Sequence, residues 1–134
     1  MLTGVNHITL AVTNVDVSFN FYVEILGFTP QAKWKSGAYL SLGDLWFCLS
    51  VDNVVPKQDY THYAFTIAED DISAFRVKLQ KSGAIEWKNN RSEGESVYFL
   101  DPDGHKLEVH YGSLESRLKS CLEAPYDDMV FFNS

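Results

Sequence analysis

A chain of 134 residues, 46% hydrophobic and 22% charged, suits one folded domain rather than a disordered tether. The formal net charge of −7 argues against a nucleic-acid partner, which demands a basic face, while leaving room for a small anion held by local cations. No stretch approaches the ~20 apolar residues of a membrane span. The N-terminus lacks a basic, apolar leader pattern, and Cys48 and Cys121 read as reduced thiols, so a cytoplasmic protein is the expectation.

The first strand is predicted over 5–12, with His7, Thr9 and Ala11 on one face and Ile8, Leu10 and Val12 on the other. Asn14 caps a helix with the stripe Val15, Phe19, Tyr22 and Leu26, which Gly27 stops. Three strands follow over 28–34, 37–42 and 45–51, the last two turned by Gly43-Asp44. Residues 52–59, which include Pro56, read as a connection. A strand over 61–68 then precedes a helix over 70–82, with the stripe Ile72, Phe75 and Leu79 and a stop at Gly83. Strands over 84–88, 96–101 and 105–111 complete the second half, the last two joined by the turn Asp101-Pro-Asp-Gly104. Each half is βαβββ, giving an α+β chain read as a single domain over 1–134. Its units span about 4–51 and 60–111, followed by a helix and tail over 113–134. The helix runs from Leu114 to Leu122, and Met129-Val-Phe-Phe132 is expected to pack on a core or a partner subunit.

The residues with chemistry fall at equivalent points of this repeat. Gly4-Val-Asn-His7-Ile-Thr-Leu-Ala-Val12 and Tyr60-Thr-His62-Tyr-Ala-Phe-Thr-Ile67 each set a histidine at the head of an apolar β run. Glu108 lies between Leu107 and Val109, where a carboxylate is costly to bury unless paired or metal-bound. Two imidazoles and a carboxylate suit a divalent metal and leave coordination positions for a substrate. A hydrogen-bonded, half-buried strand histidine is the competing reading for His7 and His62. His110, on the face of Glu108, is the rival third ligand. Lys88, Arg91 and Arg117 occur in a region rich in Ser, Gly and Asn where a phosphate or phosphonate group can be held. Lys88 and Arg91 can equally be solvated loop charges, Ser92 and Ser96 turn residues, and Tyr39 and Trp46 core aromatics. His105, beside a turn, is expected to be exposed.

Several segments together carry a family resemblance. They include Asn6-His-Ile-Thr-Leu-Ala-Val12, Gly37-Ala-Tyr-Leu40, Leu45-Trp46 with Cys48-Leu-Ser50, and Asp59-Tyr-Thr-His-Tyr-Ala-Phe65. The others are Trp87-Lys-Asn-Asn-Arg-Ser-Glu-Gly94, Tyr98-Phe-Leu-Asp-Pro-Asp-Gly-His-Lys-Leu-Glu108 and Ala124-Pro-Tyr126. Paired βαβββ units carrying them resemble the vicinal oxygen chelate superfamily, which includes glyoxalase I and extradiol dioxygenases. Within it the chain resembles the fosfomycin-resistance glutathione transferases of the FosA type.

The resemblance implies Mn²⁺ held by His7, His62 and Glu108 in a strand-exchanged homodimer, with His7 from one chain and the other two ligands from its partner. It implies Thr9, Lys88, Ser92, Ser96, Tyr98 and Arg117 around the phosphonate of fosfomycin, and a K⁺ ion held by Asn90, Ser92, Gly94 and Ser96. A glutathione channel lined by Trp34, Tyr39, Trp46, Ser50, Lys88, Arg91 and Tyr126 follows from the same likeness. Thr9 and Tyr39 are then the catalytic candidates, Tyr39 as hydrogen-bond donor to the incoming sulfur. The activity implied is a metal-dependent glutathione transfer that opens the epoxide of fosfomycin. A fosfomycin epoxide hydrolase, another thiol transferase or isomerase of the superfamily, and a metal-free antibiotic-binding protein are the alternatives.

Overall fold

Alternating apolar and polar residues build a first sheet from β1 (His7–Val12), β2 (Thr29–Trp34), β3 (Gly37–Leu42) and β4 (Leu45–Val51), in the order β1-β4-β3-β2. β1 runs parallel to β4, and the other neighbours are antiparallel. A second sheet repeats the plan with β5 (Tyr63–Thr66), β6 (Glu86–Lys88), β7 (Glu95–Leu100) and β8 (Lys106–Tyr111), in the order β5-β8-β7-β6. Here β5 is parallel to β8. Helices α1 (Val15–Asn20) and α2 (Ile72–Ser82) follow the first strand of each unit, and α3 (Leu114–Glu123) follows β8. The expected pair of βαβββ units is the fold of this chain. The structure, a computed structural model, describes residues 1–89 and 94–132. Asn90, Arg91 and Ser92, which the sequence nominates for binding, lie outside the described residues.

One apolar cluster joins the inner faces of both sheets: Leu10, Leu40 and Phe47 from the first, Val97, Phe99 and Leu107 from the second, with Tyr22 from the first crossover. Each large side chain so buried contributes ~1.5–3 kcal/mol from the area it removes from water. Polar bonds fasten the units where the β7–β8 turn meets the first half. Asp103 accepts from the Thr13 amide at 3.1 Å and from the Ser18 hydroxyl at 3.3 Å, while His105 Nε2 donates to the Ala11 carbonyl at 2.7 Å. His105 is therefore partly buried, not exposed as expected, because its ring is used as a strut between units.

Several boundaries differ from expectation for local reasons. The Asn14 side chain caps α1 as predicted, accepting from the amides of Asp16 and Val17. The helix then widens into a π-helical turn over Phe21–Ile25, where the Leu26 amide reaches back to the Phe21 carbonyl and the Phe28 amide to that of Tyr22. β5 starts at Tyr63 rather than residue 61, because the Asp59 side chain takes the Thr61 amide and folds the approach into a turn. His62 thus stands just before its strand. In this single chain Val130 and Phe132 are exposed, so the expected packing of the tail on the chain's own core is not found. Leu114, Leu118 and Leu122, four residues apart along α3, are exposed as well. Among the described residues no helix is long and apolar enough to cross a membrane, and both cysteines are free thiols.

Candidate metal and substrate site

Strand alternation puts Ser96 and Tyr98 of β7 on one face with Glu108 and His110 of β8, the register pairing Tyr98 with Glu108 and Ser96 with His110. On that face the side chains form a continuous polar chain. His62 Nε2 lies 3.0 Å from Glu108 Oε1, and the opposite ring nitrogen, Nδ1, lies 2.8 Å from the Tyr60 carbonyl. The other carboxylate oxygen, Oε2, accepts from the Ser96 hydroxyl at 2.5 Å. Ser96 Oγ in turn lies 2.6 Å from His110 Nδ1. Glu108 and Ser96 are buried.

Such a donor set fits a divalent metal. Nδ1 of His62 faces a backbone carbonyl, which leaves Nε2 and Oε1 of Glu108, 3.0 Å apart, as the atoms that would share an ion. Metal-bound histidines and carboxylates typically have their outer atoms fixed in this way. His110 turns its Nδ1 to Ser96, and that nitrogen stands 3.6 Å from Glu108 Oε2.

Beside the pair sits a cation on an aromatic platform. Lys88 Nζ donates to the Tyr60 hydroxyl and lies 4.5 Å from the centre of the Tyr60 ring and 4.8 Å from that of Tyr98. The bond to Tyr60, ahead of all other influences, holds the ammonium above its usual range, so Lys88 is positively charged at neutral pH. Trp87 braces the platform, its indole N–H donating to the Leu107 carbonyl at 3.0 Å and its ring 5.5 Å from that of His62. Tyr60, Trp87 and the Ser96–His110 contact were missed in the sequence. Alternation placed Ser96 and His110 on a shared face, whereas nothing local pointed to Tyr60.

Most of the remaining candidates occupy the first sheet. His7, Trp46, Tyr39 and Trp34 form an aromatic row, with ring centres separated by 4.4, 5.4 and 4.7 Å in turn. All four are exposed, so Tyr39 and Trp46 are not core residues. Thr9 faces the same way, paired in register with Cys48, and Ser50 pairs with Ala11 and Gly37. His7 holds Asn6 at 2.7 Å, and among the described residues no group of three potential metal ligands converges within one chain. Arg117, on α3, lines a cleft with Thr66, His110 and Leu114. Tyr126 is exposed in the tail.

With this geometry, comparison with known proteins is informative. The pattern of the glyoxalase/bleomycin resistance protein/dioxygenase superfamily matches residues 4–109. The chain is 55% identical to the glutathione transferase FosA of Serratia marcescens, over 98% of this chain and 96% of that one. It is 38% identical to the metallothiol transferase FosB of Staphylococcus epidermidis, over 92% and 94% respectively. Among solved structures it resembles the fosfomycin resistance protein FosX of Listeria monocytogenes complexed with Mn(II) and sulfate. That match has a TM-score of 0.83 at 28% identity and covers 90% of this chain and 98% of the other. Fold and sequence agree, and the chain belongs to the glyoxalase/bleomycin resistance protein/dioxygenase superfamily, among its FosA-type members.

Proposed function

We propose that this protein inactivates fosfomycin by adding the thiol of glutathione to its epoxide. The observation that carries the reading is the His62–Glu108 pair, outwardly fixed by Tyr60 and Ser96, in a chain 55% identical to a glutathione transferase. His62 and Glu108 hold the metal, for which Mn²⁺ is the first choice, and His7 of a second subunit completes the ligand set. When bound, the metal supplies Lewis acidity at the oxirane oxygen.

The chain's own residues bind and orient the reactants. Lys88 presents its charge to the phosphonate from the Tyr60–Tyr98 platform, with Thr9, Ser92 and Arg117 as further donors and the Ser96 hydroxyl engaged by Glu108 beside them. The aromatic row of Trp34, Tyr39 and Trp46, with Ser50, Arg91 and Tyr126, lines the approach of glutathione. The Tyr39 hydroxyl donates to the sulfur and favours its thiolate form, which is a minor species for an ordinary thiol at neutral pH. A carbon–sulfur bond forms as a carbon–oxygen bond of the epoxide breaks, and the released oxygen takes a proton from solvent. Asn90, Ser92, Gly94 and Ser96 hold K⁺ next to the phosphonate, and the reaction takes place in the cytoplasm, where reduced glutathione is supplied.

Opening the ring with water instead needs a general base poised over the substrate. Glu108, the buried carboxylate on the second-sheet face, is committed to His62 and Ser96, and Asp44 is exposed in the β3–β4 turn. Mass spectrometry of fosfomycin incubated with enzyme and Mn²⁺, with and without glutathione, decides the matter. A glutathione adduct formed only with the thiol present is expected, whereas rapid diol formation without thiol makes the protein a hydrolase.

A further inference from the structure

We propose that His110 is a positioning residue for Glu108, acting through the Ser96 hydroxyl to fix which carboxylate oxygen faces the metal. This inference rests on the metal reading above. Ser96 Oγ carries a single proton, and it goes to Glu108 Oε2 at 2.5 Å. The 2.6 Å contact between Oγ and His110 Nδ1 then has only one polarity open to it, with Nδ1–H donating to the hydroxyl oxygen. His110 therefore takes the tautomer protonated on Nδ1. Two short hydrogen bonds in series at a buried serine strengthen one another. They lock Oε2 from behind and leave Oε1 directed at His62.

The Gly94 backbone meets the same ring along its Cε1–Nε2 edge. A Cβ added at Gly94 would stand 2.9 Å from His110 Cε1 and 3.2 Å from its Nε2, so the glycine backbone packs directly on the imidazole edge. The divalent site is thereby linked, through Glu108, Ser96 and His110, to the loop end expected to contact K⁺.

The test compares two variants that differ in where they place an amide. His110→Asn sets an N–H donor where Nδ1 stood. His110→Gln sets its amide near the position of Nε2 and leaves Ser96 without a donor. Mn²⁺ affinity is read from the free-ion electron paramagnetic resonance signal during titration of the full chain. His110→Asn should bind Mn²⁺ as tightly as the wild type, and His110→Gln ~10–100-fold more weakly, the usual effect of losing an outer-shell partner. Adding His110→Gln to Ser96→Ala should cost nothing more than Ser96→Ala alone. Wild-type affinity in His110→Gln, equal weakening in both His110 variants, or additive losses with Ser96→Ala would each overturn the proposal. Glu108→Gln is the separate control, because undiminished Mn²⁺ binding there removes the metal reading itself.

Discussion

The hydroxyl of Tyr22 donates a 2.7 Å hydrogen bond to Asp101 Oδ2, tying the π-helical turn of the first unit to the β7–β8 turn of the second. Tyr22 is fully buried and Asp101 nearly so, and the other Asp101 oxygen accepts from the amides of Asp103 and His105. Tyr22→Phe keeps the ring and leaves a buried carboxylate oxygen without its partner. We expect a loss of ~1–3 kcal/mol, read as a lower urea midpoint at unchanged slope. An unchanged midpoint would show that the bond between the units is energetically idle.

The same pair gives stability a defined pH dependence. Burial, the largest influence, raises the Asp101 carboxyl above the usual range, against the lowering effects of the Tyr22 bond and of His105. A raised folded-state value means the neutral acid is favoured in the fold, so this contribution is fully present below the unfolded value and is lost as pH rises through the folded one. Tyr22 is raised well above its ordinary value, again chiefly by burial, and its contribution is lost above about pH 10. Asp101→Asn is neutral throughout, so its stability relative to wild type should improve from about pH 4 to neutrality. Parallel pH profiles for the two proteins would refute this.

The metal ligands should matter most to turnover. His62→Ala or Glu108→Gln should each lower the rate of adduct formation on the order of a hundredfold or more, comparable to losing an oxyanion-hole donor at ~3–4 kcal/mol. Chelation should abolish turnover and Mn²⁺ should restore it. Full activity in a chelator-treated preparation would end the mechanism proposed here.

How far the sequence reveals this architecture depends on how local each determinant is. The βαβββ repeat is legible because strand alternation, the Asn14 cap and the Gly83 stop act over a few residues. The shared face of Ser96, Tyr98, Glu108 and His110 is legible for the same reason. Deciding that Glu108 faces His62 while His110 turns to Ser96 requires the cross-strand register and the packing of Gly94, neither of which spacing encodes. The π-helical turn escapes sequence reading because Tyr22 is held by a residue 79 positions away. Tyr60 is hidden similarly, since its meeting with Lys88 depends on how the 52–59 connection folds.

Gly94 provides a test of the loop. Its φ is +75°, and an added Cβ would stand 2.2 Å from the Tyr111 carbonyl oxygen, a backbone atom with little room to retreat. Gly94→Ala should cost ~1–3 kcal/mol in strain alone. It should also flatten the rise of activity with KCl, measured at constant ionic strength set by a bulky cation. A variant with wild-type stability and an intact K⁺ response would detach this glycine from the site.

Complementation between inactive chains tests whether each site is shared by two subunits. One chain brings together His62 and Glu108 while its His7 stays with Asn6 and Trp46, so a shared site takes His7 from the partner. In a dimer pairing a His7→Ala chain with a Glu108→Gln chain, one site then collects both lesions and the other neither. Each variant alone should be inactive. Unfolding and refolding an equimolar mixture should recover about a quarter of wild-type activity, since half the dimers are mixed and each has one intact site of two. If all three ligands served one site within a single chain, every site in the mixture would carry a lesion, and the refolded mixture would stay as inactive as its components.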